Sequence, residues 1–294
     1  MNILKYALLS LILFNSIAIA APVGNTGSPA LWDEGLLVKE GRFHFTAALD
    51  FDYQKSELPG QIRRFPWTDP GQVTPEQRHY EQIRTSSNSF LCSGIKLGAI
   101  INESAMVYLL TGVMNTTVDM TYYDKTISYG YSTGSDFESD NEFYYGAGFS
   151  VIMHRGTWKK DTPVKVGMDL KYRKLEMEES NLGSSGEYYS SSLDEFQMAF
   201  VISAETERFY PYFGLRISTM TGRERYINKN IPVFLAPAEY YDSGYIDYRR
   251  DINWFKNTGY VTGMSFYVKD LWLFNVEIRR GDEEGVGLSS TIKF

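Results

Sequence analysis

The sequence predicts an all-β fold: a transmembrane antiparallel up-and-down β-barrel of about ten strands, with about twelve as the upper bound. Three observations carry this expectation. The chain closes on Val286-Gly287-Leu288-Ser289-Ser290-Thr291-Ile292-Lys293-Phe294, a strand in which apolar and polar side chains alternate and the last residue is aromatic. The same alternation recurs upstream. The links between alternating segments are by turns short and long, the pattern of an outer-membrane barrel with short periplasmic turns and longer outward loops. In hydrocarbon every backbone N–H and C=O must be bonded within the protein, so strands can cross only as a closed barrel.

From the N-terminus, Met1 to Ala20 carries one basic residue, Lys5, then the apolar run Tyr6 to Phe14 and the small-x-small pattern Ala18-Ile19-Ala20 before Ala21. This reads as a cleaved secretory signal. A retained anchor helix would need about twenty apolar residues, and Asn15 and Ser16 interrupt the run too early. Residues 1–20 are therefore expected to be a signal peptide, 21–41 a periplasmic N-terminal segment and 42–294 the barrel of a bacterial outer-membrane protein.

The first strand is the clearest. Phe43, Phe45, Ala47, Leu49, Phe51 and Tyr53 share one parity, and Arg42, His44, Thr46, Asp50, Asp52 and Gln54 the other, giving one lipid-compatible and one wet face. Strands are expected next over Asn88 to Ile101, Ala105 to Tyr123 and Asn141 to Arg155. In the fifth, Val164, Val166, Met168, Leu170 and Tyr172 oppose Lys165, Gly167, Asp169, Lys171 and Arg173; in the sixth, Phe196, Met198, Phe200 and Ile202 oppose Glu195, Gln197 and Ser203. The rest are Tyr210 to Gly222, Thr258 to Lys269, Leu271 to Arg279 and Val286 to Phe294. Long outer loops are expected at Lys55 to Ser87, Asp124 to Asp140, Glu178 to Asp194 and Arg223 to Asn257, the last with room for further strands. Short turns fall at Asn102-Glu103-Ser104, Gly156 to Asp161, Glu207-Arg208-Phe209 and Lys269-Asp270.

Composition agrees. The 294 residues are 43% hydrophobic with 22 Tyr and 18 Phe, and membrane barrels carry aromatic girdles at both interfaces. The formal charge of −7, or −8 once Lys5 is removed with the signal, argues against nucleic acid as a partner. Cys92 is the single cysteine, so no internal disulfide can form.

Several stretches resemble the chlamydial major outer membrane porin family: Pro22-Val23-Gly24-Asn25 with Pro29, Leu31 and Gly35; Glu195-Phe196-Gln197 through Phe209-Tyr210-Pro211-Tyr212-Phe213-Gly214-Leu215-Arg216; and Val276-Glu277-Ile278-Arg279 with Asp282-Glu283 and Ile292-Lys293-Phe294. They cover about a quarter of the chain, and their order and spacing match together. The resemblance implies a general porin that passes small polar solutes, forms a homo-oligomer and is exposed at the cell surface. Family members are larger and cysteine-rich, so their disulfide-linked envelope role does not carry over.

Pore width follows strand number: about eight strands leave a filled interior and 16 to 18 an aqueous channel, so ten to twelve lies near the filled end. The lumen and selectivity candidates are Arg42, Asp50, Asp52, Lys96, Asp119, Lys165, Asp169, Lys171, Arg173, Glu195, Arg216, Glu277 and Arg279, with Glu205 and Lys293 on the same inferred face. Two readings stand: an ion-paired network that fills a closed structural barrel, or a narrow eyelet whose charges select solutes.

Catalysis is not expected; the rival reading is an outer-membrane protease, which would need a carboxylate pair and a His-Asp pair near the outer rim. His44 and His154 fall near periplasmic strand ends, where each suits a lumen hydrogen bond; His79, near Asp69, Glu76 and Glu81, is the one rim candidate, and no Asp-x-His partner follows it. No Gly-x-Ser-x-Gly elbow occurs. Asp136, Glu138, Asp140 and Glu142 alternate without the glycine a calcium loop requires, so no metal and no cofactor is expected. Arg63, Arg64, Arg78 and Arg84, with Arg223, Arg225, Arg249 and Arg250, suit the phosphates of lipopolysaccharide. Outer-membrane lipid, lipopolysaccharide and small polar solutes are the expected partners.

Overall fold

Ten strands close into one antiparallel barrel in a computed structural model of the chain. It describes residues 43–67, 78–102, 104–124, 132–158, 162–181, 187–206, 209–228, 246–268, 272–281 and 283–294. The expected signal and periplasmic segments and Arg42 lie outside the described residues. The strands are β1 (Phe43–Trp67), β2 (Arg78–Ile101), β3 (Ala105–Asp124), β4 (Ser132–Trp158), β5 (Thr162–Asn181), β6 (Glu187–Ala204), β7 (Phe209–Asn228), β8 (Ile246–Val268), β9 (Trp272–Gly281) and β10 (Glu283–Lys293). Each pairs with its sequence neighbours, and β1 closes on β10 from Thr46 opposite Lys293 to Ser56 opposite Glu283. The backbone N–H of Phe294 donates to the carbonyl of Phe45 at 2.8 Å, so the terminal aromatic is tied into the seam.

The parity read from β1 holds. Phe43, Phe45 and Leu49 are exposed, while His44, Thr46, Asp50, Asp52 and Gln54 are buried in the lumen. Around the barrel the outward positions form an apolar band that includes Leu97, Leu109, Phe200, Leu215 and Ile278. Aromatics mark both rims. Toward the short links lie Phe43, Phe45, Trp158 and Phe209, and there Phe266 and Trp272 stack on Phe274 at 5.5 and 6.3 Å between centroids. Toward the long links lie Phe143, Tyr145, Tyr172, Phe196 and Tyr260. Two aromatic rims around an apolar belt are the signature of a barrel seated in a bilayer.

The expected long loops are corrected. Crossing a bilayer takes about 9 to 11 residues per strand, which β9 and β10 match with 10 and 11, but β1 runs for 25, β2 for 24 and β4 for 27. The extra length is a paired ladder: β1 stays in register with β2 to Trp67 opposite Arg78, past a bulge between Leu58 and Gln61. Polar segments that read as loops thus continue as strands because each finds a hydrogen-bonding neighbour. Since β10 leaves β1 at Ser56 and β9 meets β8 only from Gly259, the extended wall has a notch above the short β9–β10 turn, among the described residues. Ten strands are described; of the stretch Ile231 to Tyr248, which has room for further strands, 246–248 begin β8 and 231–245 lie outside the described residues.

Inside, polar and apolar faces segregate. The lumen sides of β2 and β3 carry Phe90, Cys92, Ile100, Met106, Tyr108, Leu110 and Met114, which join Tyr144, Ile152, Leu175, Leu193, Met220 and Leu273 in one cluster. The lumen sides of β1, β5 and β9 carry Asp50, Asp52, Asp169, Lys171, Arg173, Glu277 and Arg279, all buried.

A charged clamp across the lumen as the candidate functional site

The site starts from three strands whose polar parity turns inward. On β1 this places Asp52 and Gln54 in the lumen, on β5 Arg173 and on β9 Arg279. β1 and β5 are not neighbours: β2, β3 and β4 intervene on one side and five strands on the other. Arg173 nevertheless spans the lumen. Its Nη1 donates to Asp52 Oδ2 and its Nη2 to Gln54 Oε1 at 2.8 Å, while its Nε donates to Glu195 Oε2 on the adjoining β6 at 2.7 Å. Arg279 Nη2 donates to the other oxygen of Asp52 at 3.0 Å. One carboxylate is thus held by two guanidinium groups from separate strands.

Apolar side chains flank this clamp on its long-link side and on the neighbouring strands β2 and β7. Cys92 stands beside Asp52 in the register, Met220 beside Glu195, and Leu175 and Leu193 one inward position nearer the long links. Arg173 and Asp52 are each 1% exposed, so their attraction is little weakened by solvent. Charges taken this far from water persist only when paired and hydrogen-bonded.

A second device recurs beside the clamp. A long polar side chain crosses the next strand at an inward glycine and bonds to a carboxylate on the strand beyond. Tyr108 of β3 crosses β4 at Gly148 and donates to Asp169 of β5 at 3.0 Å. Tyr212 of β7 crosses β8 at Gly263 and donates to Glu277 of β9 at 2.8 Å. Arg279 of β9 crosses β10 at Gly285, where a Cβ would stand 2.7 Å from its Nη2. A side chain on any of these glycines would occupy the crossing.

The other anticipated residues distribute as follows. Asp50, Asp169, Lys171, Glu195, Arg216, Glu277 and Lys293 are buried on the lumen face, as expected. Asp169 also accepts from Ser150 Oγ at 2.5 Å, Arg216 Nη2 donates to Ser218 Oγ at 3.1 Å, and Lys96 Nζ lies 5.0 Å from the Tyr108 ring centroid. Lys165 faces inward but away from the clamp, at the short-link end, where it is ion-paired with Glu205. Arg42 and the side chains of Asp119 and His79 lie outside the described residues. His44 is buried in the lumen with no hydrogen bond at Nδ1, whereas His154, expected there too, is exposed, because a register shift between Ile152 and His154 breaks the alternation. The acidic run Asp136 to Glu142 lies on β4 and is interrupted by another register shift; the described residues hold no group of metal-ligating side chains. Arg223 is ion-paired with Asp251 at 3.4 Å.

Sequence reasoning missed Gln54 as a clamp member, the tyrosines as cross-strand ties and the apolar flank. The signal for the ties was present as inward Tyr and Gly on adjacent strands, but it becomes visible only once the register is known.

No protein-family model and no curated protein matches this sequence. Among solved structures, the transport unit of the autotransporter AIDA-I from Escherichia coli is similar at 9% identity and a TM-score of 0.37, over 90% of this chain and 92% of that one. The β domain of the Bordetella autotransporter BrkA shows 7% identity and a TM-score of 0.33, over 86% and 99%. An outer membrane channel from Pseudomonas putida F1 shows 11% identity and a TM-score of 0.31, over 85% and 96%.

Proposed function

We propose that this chain is a bacterial outer-membrane barrel that acts as a narrow channel for the passive diffusion of small polar solutes, with the Arg173 clamp as its constriction. The observation that carries the reading is the Arg173–Asp52 contact, which joins nearly opposite walls, so any route along the lumen at that level runs past these charges. Ten strands give a bore near the filled limit, and conduction therefore requires the clamp to part. The N-terminal secretion signal and the resemblance to chlamydial porins support the same reading. Catalysis has no part in it, and lipopolysaccharide phosphates are contacted by arginines of the β1–β2 and β7–β8 ribbons.

Planar-bilayer recording of the folded protein tests this. Small step currents are expected, well below those of wide porins, rising when Asp52→Ala loosens the clamp. Silence from both wild type and Asp52→Ala would remove the channel reading.

One observation favours a second reading. The clamp residues are almost wholly buried, and eight strands run well past the apolar band, as suits a closed barrel that holds ribbons out for a partner. Shortening the β1–β2 and β7–β8 ribbons would then abolish adhesion while the bilayer stays silent.

A further inference from the structure

The clamp has the form of a recognition site already occupied by part of its own chain. Two guanidinium groups converge on Asp52, each donating one charge-assisted hydrogen bond to a different carboxylate oxygen. Neither arginine needs Asp52 to hold its position. Arg173 keeps a hydrogen bond from Nε to Glu195 Oε2 at 2.7 Å, an ion-pair contact of Nη2 with the same oxygen at 2.5 Å, and a hydrogen bond from Nη2 to Gln54 at 2.8 Å, leaving Nη1 for Asp52. Arg279 is seated over Gly285 with its Nε 3.9 Å from Glu277. Gly287, which faces Asp52 from β10, puts no side chain beside it.

Three further atoms point to unfilled polar positions at this level. Glu195 Oε1 is buried beside the clamp and accepts no hydrogen bond, and the carboxamide of Gln197, at the next inward position of β6, makes none at either atom. Glu195 Oε1 can only accept, so water completes its bonding, while the Gln197 carboxamide can donate to water or to a solute oxygen.

We propose that the Arg173–Arg279 pair is a binding site for the carboxylate of a passing organic solute, occupied between passages by Asp52 as a tethered stand-in. A small carboxylate then opens the constriction by exchanging with Asp52, and neutral solutes of equal size do not. The exchange rests on the channel reading for the solute's route, but the site itself can be tested without any current.

Asp52→Ala and Asp52→Asn barrels, folded in detergent and checked by their migration in unheated gels, would be titrated with acetate and formate against chloride at matched ionic strength. Acetate should raise the unfolding temperature of Asp52→Ala by several degrees. It should leave wild type unchanged and do nothing for the double variant Asp52→Ala/Arg279→Gln. In bilayers, acetate should raise the open fraction of wild type severalfold over chloride, and Asp52→Ala should lose that dependence. If neither carboxylate stabilises a folded Asp52 variant, or if Arg279→Gln leaves the stabilisation intact, the site is overturned. Stabilisation without current in any form would instead sink the channel reading and leave the site standing.

Discussion

The lumen side of β2 and β3 and the lumen stretches 169–173 of β5 and 275–279 of β9 are equally buried and largely opposite in chemistry. The first pair presents Phe90, Cys92, Ile100, Met106, Leu110 and Met114; the second presents Asp169, Lys171, Arg173, Asn275, Glu277 and Arg279. The bilayer dictates only the outer face, which must be apolar. Inside, the requirement is satisfaction. Apolar side chains meet it by packing, while each charge must find a partner, and on this barrel several partners lie two or more strands away. The apolar half therefore behaves as a core, and the charged half as a set of long ties that fix which walls face each other.

The largest expected effect breaks the charged half. Arg173→Met leaves Asp52 and Glu195 buried without their main counter-ion, and removing one partner of a buried pair costs about 3–5 kcal/mol. Urea unfolding in lipid vesicles should show that loss, and Arg173→Lys should recover little of it, because an ammonium cannot reproduce the three-way fork. An Arg173→Met barrel as stable as wild type would mean that the ties do not hold the walls.

The apolar half should respond to volume rather than chemistry. Met114 is 1% exposed inside the cluster, so Met114→Ala should cost about 2–5 kcal/mol, whereas the volume-conserving Met114→Leu should cost less than about 1.5 kcal/mol. The same unfolding assay checks both, and equal losses for the two would deny that this wall packs as a core. The smallest effect is expected at the rim. Lys165→Gln removes the Glu205 partner near the short-link end and should change stability by about 1 kcal/mol or less, since partly solvated pairs contribute little.

The contrast also explains where the sequence was legible. On β1, β5 and β6 a polar lumen face makes the alternation plain, and the faces were correctly assigned from residues such as Phe45 and Asp50. On β2 and β3 both faces are largely apolar, so the alternation fades and the apolar lumen wall was not foreseen. The strand extensions failed to register for the converse reason: above the apolar band nothing forces one face to be oily, and segments such as Gln61 to Trp67 read as loop. His154 was misplaced because a single extra residue in β4 inverts every side chain after it.

By itself the sequence determined the membrane-crossing part of the strands, most of their parity and their order around the ring, because these follow from a local contest between lipid and water at every second residue. It also placed most of the lumen charges on the correct side of the wall. Only the tertiary structure decided that Arg173 meets Asp52, 121 positions away, and that tyrosines and Arg279 cross their neighbouring strands at glycines. Those meetings depend on closure, stagger and strand tilt, which are properties of the whole ring and are written in no single segment.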